Sequence, residues 1–99
     1  MLKSAQTPRR PDRETAETIA AQGLAFLAAE PHRLSRFLAV TGLEPGDLKA
    51  RAATREVLAA VLSFVAADES LLLTFAASAN LAPEGIGAAL AVLDVADAP

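Results

Sequence analysis

The sequence predicts an all-α protein, with five or six short helices in one compact domain built as two similar halves from an internal repeat of 38 residues. Three observations carry that reading. Apolar residues recur at helical spacing, and no strand-like alternating run is present. Pro31, Pro45 and Pro83 stand where helices start, and Gly42 stands where one stops. The stretch running from Phe26 through Leu34, Phe37 and Leu43 to Pro45 is also written again, 38 positions later, from Phe64 through Leu72, Phe75 and Leu81 to Pro83.

Sliding residues 19–53 onto 57–91 gives 12 identities in 35 positions. Six are alanine matches, which an alanine-rich chain produces readily. The other six are Leu24/Leu62, Phe26/Phe64, Leu34/Leu72, Phe37/Phe75, Leu43/Leu81 and Pro45/Pro83. Shuffling the same residues would give roughly one or two such matches, so a duplication is the better reading. Several substituted pairs keep a physical role. Gly42 and Asn80 are the residue types that most readily take the left-handed conformation ending a helix. Glu30 and Asp68 precede a helix start, where a carboxylate meets free N–H groups.

The elements follow in order. Residues 1–10 hold Lys3, Arg9 and Arg10 without periodicity and are expected to be a disordered basic arm. A helical domain spans 11–94, with halves at about 19–53 and 57–91. The first helix should start near Pro11, carry Ile19, Gly23 and Phe26 on its stripe, and end at Pro31. The second spans about 31–41, with Leu34, Phe37 and Leu38 inward. Gly42 stops it and Leu43 tucks back as a helix-stop contact. A short third helix covers about 45–53, with Leu48 inward and Asp47, Lys49 and Arg51 outward. Thr54 caps the fourth, which is apolar nearly all round from Val57 to Ala67 and so belongs at the centre. The fifth follows Asp68 and is stopped by Asn80. The sixth begins at Pro83 and places Ile86, Leu90 and Leu93 on one stripe. Gly85 and Gly87 weaken it by up to about 1 kcal/mol each, and 95–99 should fray. Phe26 and Phe64 are both expected in the core, so that Phe64→Ala would cost about 3–5 kcal/mol.

Composition narrows the function classes. Apolar residues make up 53% and charged residues 21%, a globular balance. The net charge of −3 argues against nucleic-acid binding, which asks for a basic face. Cysteine is absent, which removes disulfides and thiolate metal sites. No apolar run reaches about 18 residues, so no membrane span is expected. The N-terminus lacks the apolar stretch of a signal peptide. The expectation is a soluble cytoplasmic protein.

Three runs carry a likeness: Leu24-Ala25-Phe26-Leu27-Ala28, the segment from Arg36-Phe37-Leu38-Ala39 through Thr41-Gly42-Leu43 to Pro45, and Asp68-Glu69-Ser70-Leu71-Leu72-Leu73 with Phe75. The chain resembles, over about residues 20–90, a family of small, mostly alphaproteobacterial proteins known only as a domain of unknown function. The resemblance implies a bacterial cytoplasmic origin and assigns no catalytic or binding residue. Asn80 stands where such a family is expected to have glycine, a change the left-handed position tolerates.

No constellation points to catalysis. His32 is the single histidine, with no orienting partner, nucleophile or second metal ligand indicated. Asp68 and Glu69 have helix-start roles. Glycines do not cluster into a phosphate-cradling loop. The reading is therefore a non-enzyme, with no cofactor and no metal. The helix–Gly42–Leu43–helix segment has the tight turn of a helix-turn-helix, so a DNA-associated regulator using that turn and the basic arm is the alternative. The repeat of the segment after Pro83 holds no basic residue, which leaves nucleic acid the weaker partner class. The halves differ most where Arg33, Ser35 and Arg36 become Leu71, Leu73 and Thr74. Leu72 takes the inward place of Leu34, so Leu71 and Leu73 are extra apolar groups and the expected protein contact. A small helical protein-interaction module, self-associating through a homodimer or binding another protein's helix, is the function expected.

Overall fold

Six helices, α1 (Arg13–Ala28), α2 (Pro31–Thr41), α3 (Pro45–Arg51), α4 (Arg55–Ala66), α5 (Glu69–Ala79) and α6 (Pro83–Val95), make up the computed structural model, which describes residues 11–95. The expected arm at 1–10, and residues 96–99 of the expected frayed end, lie outside the described residues. No strand occurs among the described residues.

Local chemistry sets each boundary. Asp12 accepts a hydrogen bond from the Thr15 N–H at 2.8 Å, so it caps α1 and the helix begins at Arg13, two residues after Pro11. Ala29 ends α1 at φ −71°, ψ −15°, and Ala67 ends α4 at φ −74°, ψ −14°. Glu30 then turns extended at φ −129°, ψ 112°, and Asp68 does so at φ −122°, ψ 109°. Their carboxylates accept from the N–H of His32 at 3.2 Å and of Leu71 at 3.1 Å. Gly42 stops α2 in the left-handed region at φ 77°, and Asn80 stops α5 there at φ 58°. The Leu81 N–H reaches back to the Ala76 carbonyl at 2.8 Å, satisfying an orphan acceptor of the last turn. Thr54 caps α4 through the Val57 N–H at 3.3 Å and donates its hydroxyl to the Arg51 carbonyl at 2.8 Å. That second bond ties the end of α3 to the start of α4, which is why α3 stops at Arg51 and not at 53.

α1, α4 and α6 pack on one another and form the centre. α2 lies against α1, and α5 lies against α4 and α6, while α3 sits at the margin with no buried residue. α4 supplies Val57, Leu58, Val61, Leu62 and Val65 to the core and leaves Ser63 exposed, so its nearly uniform apolarity does mark the central helix. α6 is held as firmly: Ile86, Ala89 and Leu93 are all fully buried. Packing against two helices outweighs the propensity cost of Gly85 and Gly87, neither of which has a side chain pressing on it. Leu90, expected on the inward stripe, is only half-buried, and Ala89 takes that place.

The four phenylalanines divide differently from the expectation. Phe37 and Phe75 are the buried rings, at 0% and 1% exposed, whereas Phe26 and Phe64 are half-buried at the core margin. Phe26 meets Phe75 with centroids 5.2 Å apart, and Phe64 meets Phe37 edge-on at 5.5 Å. Each ring on the short second or fifth helix thus lies beneath one from the long helix of the other half. Adding 38 to one member and subtracting it from the other turns the first pair into the second. Gly23 of α1 also faces Val61 of α4, the residue 38 positions on. A Cβ at 23 would stand 3.0 Å from Val61 Cγ1, so a larger residue there would press on the central helix α4.

Candidate interaction surface

Two grooves run beside those ring pairs. One, of about 690 Å³, has Phe64, Ala60 and Ala67 along α4, Arg36 and Val40 on α2, and Asp68 and Glu69 at the start of α5. The other, of about 620 Å³, has Phe26, Ala25 and Ala29 from α1, Arg33 from α2, and Thr74 and Ser78 on α5. The offset of 38 carries most of one lining onto the other: Phe26 onto Phe64, Ala29 onto Ala67, Arg36 onto Thr74 and Val40 onto Ser78.

The grooves differ in what lies over their rings. Over Phe26 the Arg33 guanidinium stacks 4.1 Å from the ring centroid and donates to the Phe26 carbonyl at 3.3 Å. The cation covers the ring face and satisfies a backbone acceptor at the end of α1, and the neighbouring wall is the polar pair Thr74 and Ser78. At the position equivalent to Arg33 the second half has Leu71, which turns into the core at 9% exposed. No cation therefore lies down on Phe64 as closely; Arg36 stands 5.7 Å from that centroid. Val40 on the groove's lip is 72% exposed. Neither Arg36 nor Glu69 has an ion-pair partner among the described residues.

The expected contact pair is thereby split. Leu71 belongs to the core, because it shares a helix side with the buried Phe75 four residues on. Leu72, expected inward, is half-buried instead. Leu73 is 48% exposed and follows Glu69 by one turn on the same side of α5. Among the described residues Val40 and Leu73 are the two large hydrophobic side chains left exposed. Sequence reasoning missed Val40, Phe64, Arg36 and Glu69 as a group. The signal available was Val40 itself, apolar where the residue 38 positions on, Ser78, is polar.

Elsewhere the sequence candidates take structural places. His32 is exposed in the first turn of α2. Asp68 caps α5. The turn at Gly42 exists, but the helix after it is seven residues long, about two turns, and carries Asp47 beside Lys49 and Arg51. No group of three or more metal-binding side chains occurs among the described residues. No single described helix is long and apolar enough to cross a membrane, and α4 and α5, apolar enough together, are bent by 112°.

These features define a six-helix all-α domain with surface grooves beside Phe26 and Phe64, the second lipped by the exposed Val40. The chain belongs to the family described as "Protein of unknown function (DUF3572)", whose model matches residues 13–96. No curated protein and no solved structure matches the chain.

Proposed function

We infer that this chain is a small helical protein-interaction module and that the groove over Phe64 is its contact surface. The observation supporting this is Val40, a β-branched apolar side chain 72% exposed on the lip of a groove with a half-buried phenylalanine below it. A lone exposed apolar residue is ordinary, but one set beside a half-buried ring and two charges without an ion-pair partner among the described residues has the make-up of an interface centre with its rim. The matching groove over Phe26, where Arg33 stacks on the ring and Thr74 and Ser78 make the wall polar, is the internal contrast. The offset of 38 supports the reading further. The exchanged phenylalanine pairs and the meeting of Gly23 with Val61 fit a two-fold relation between halves, in which one groove carries an apolar lip at Val40 and the other a polar residue, Ser78, at the matching place.

A photo-crosslinking residue placed at position 40, and in a second variant at 78, tests this in cells that make the chain. Position 40 should yield a discrete adduct, whatever the partner, and 78 none. Adducts from 78 alone, or none from 40, would overturn the assignment.

A further inference from the structure

We propose that the occupant of this groove is a second copy of the chain, seated about a two-fold axis. The inference rests on the reading of the groove as an interaction surface and goes beyond it by naming the partner. The groove is self-complementary in charge. Arg36 rises on its α2 side and Glu69 on its α5 side, and neither has an ion-pair partner among the described residues. A two-fold axis sets each copy's patch against the same patch on its partner, with residue i meeting j and j meeting i. That operation brings Arg36 of each copy to Glu69 of the other, and so makes two ion pairs from four unpaired charges. It also lays Val40 of each copy into the groove beside the other copy's half-buried Phe64, over which Arg36 stands at 5.7 Å, a looser contact than Arg33 makes with Phe26 at 4.1 Å. A partner of unrelated sequence would have to supply both charges in the reverse order; a second copy supplies them by symmetry. Apolar burial at Val40 and Phe64 holds the pair, and the Arg36–Glu69 contacts at the rim fix its register.

The full chain is tested by sedimentation at rising concentration, with far-UV circular dichroism to verify that each variant keeps its helix content. Wild type should dimerise. Val40→Asp places a carboxylate in each partner's apolar groove and should leave a monomer; because Val40 is 72% exposed, the fold should be unchanged. Arg36→Glu and Glu69→Arg should each weaken the dimer by about tenfold or more, since each variant sets like charges together twice. The double reversal R36E/E69R should restore it. A wild type that stays monomeric at the highest concentration overturns the self-pairing, and a position-40 adduct with a different protein would then keep the groove reading alone. A dimer that survives Val40→Asp overturns this surface as its interface. Loss in both single reversals without recovery in the double overturns the Arg36–Glu69 pairing.

Discussion

Gly23→Ala tests the packing of the two central helices, and the structure sets its magnitude. The added methyl would lie 3.0 Å from Val61 Cγ1 and 3.6 Å from both Leu62 Cδ2 and Phe75 Cζ. Val61 and Leu62 are fully buried and Phe75 is 1% exposed, so none can move aside into solvent. A β-branched valine in a helix is also held to one side-chain rotamer. Overpacking of this kind costs about 1–3 kcal/mol. Against it stands the helix-propensity gain of alanine over glycine, about 1 kcal/mol. The expected net effect is a loss of about 0–2 kcal/mol. Val61→Ala removes the obstructing methyl and by itself costs about 2 kcal/mol for the lost burial and the void. In that background Gly23→Ala should change sign and stabilise by about 1 kcal/mol. Urea unfolding of the four proteins, followed by circular dichroism, gives a coupling energy of about 1–3 kcal/mol. Additive effects, with Gly23→Ala stabilising both backgrounds equally, would refute the close approach.

Phe75→Ala, in the core, should cost about 3–5 kcal/mol, and Phe64→Ala, at its margin, about half as much, by the same unfolding measurement. Equal losses would contradict the division of the rings. Gly42→Ala forces a Cβ into the left-handed region and should cost about 1 kcal/mol or somewhat more, whereas Asn80→Gly should be neutral or slightly stabilising; thermal melts distinguish them. The hydrogen bonds from Thr15 hold the Asp12 carboxyl below its usual range. A lowered folded-state pKa means the native protein binds fewer protons, so this stabilisation is complete above the unfolded pKa and disappears as pH falls through the folded value. Asp12→Asn keeps a capping oxygen without a titrating charge, so the stability difference between wild type and variant should shrink below roughly pH 4. A difference independent of pH would show that the charge on Asp12 adds nothing to its cap.

Boundaries were the most legible feature because each rests on one residue's backbone chemistry. Pro31, Pro45 and Pro83 open helices, and Gly42 and Asn80 close them. Depth was harder to read. Phe26 and Phe37 are the same residue type on well-patterned helices, and period alone does not say which side meets the other half. That depends on how α1 crosses α4, a tertiary fact set by Gly23 and Val61. The leucine run shows the same difficulty: three adjacent residues lie about 100° apart each, and only the buried Phe75 fixes Leu71 as the inward one. The strength of α6 was hidden because glycine's local cost is visible in the sequence, while the seat against α1 and α4 is not. For the grooves, the sequence holds the residues of both linings but not what lies over their rings, since Arg33 reaches Phe26 through a side-chain stack that no spacing specifies.

The most direct test of the groove over Phe64 is the concentration dependence of the protein's amide resonances, read from micromolar to millimolar. Shifts confined to residues 36–41 and 60–69, with 22–33 and 74–79 unmoved, are predicted. Shifts centred instead on the groove over Phe26, or a spectrum unchanged across the range, would contradict self-association at the surface that Val40 and Phe64 mark.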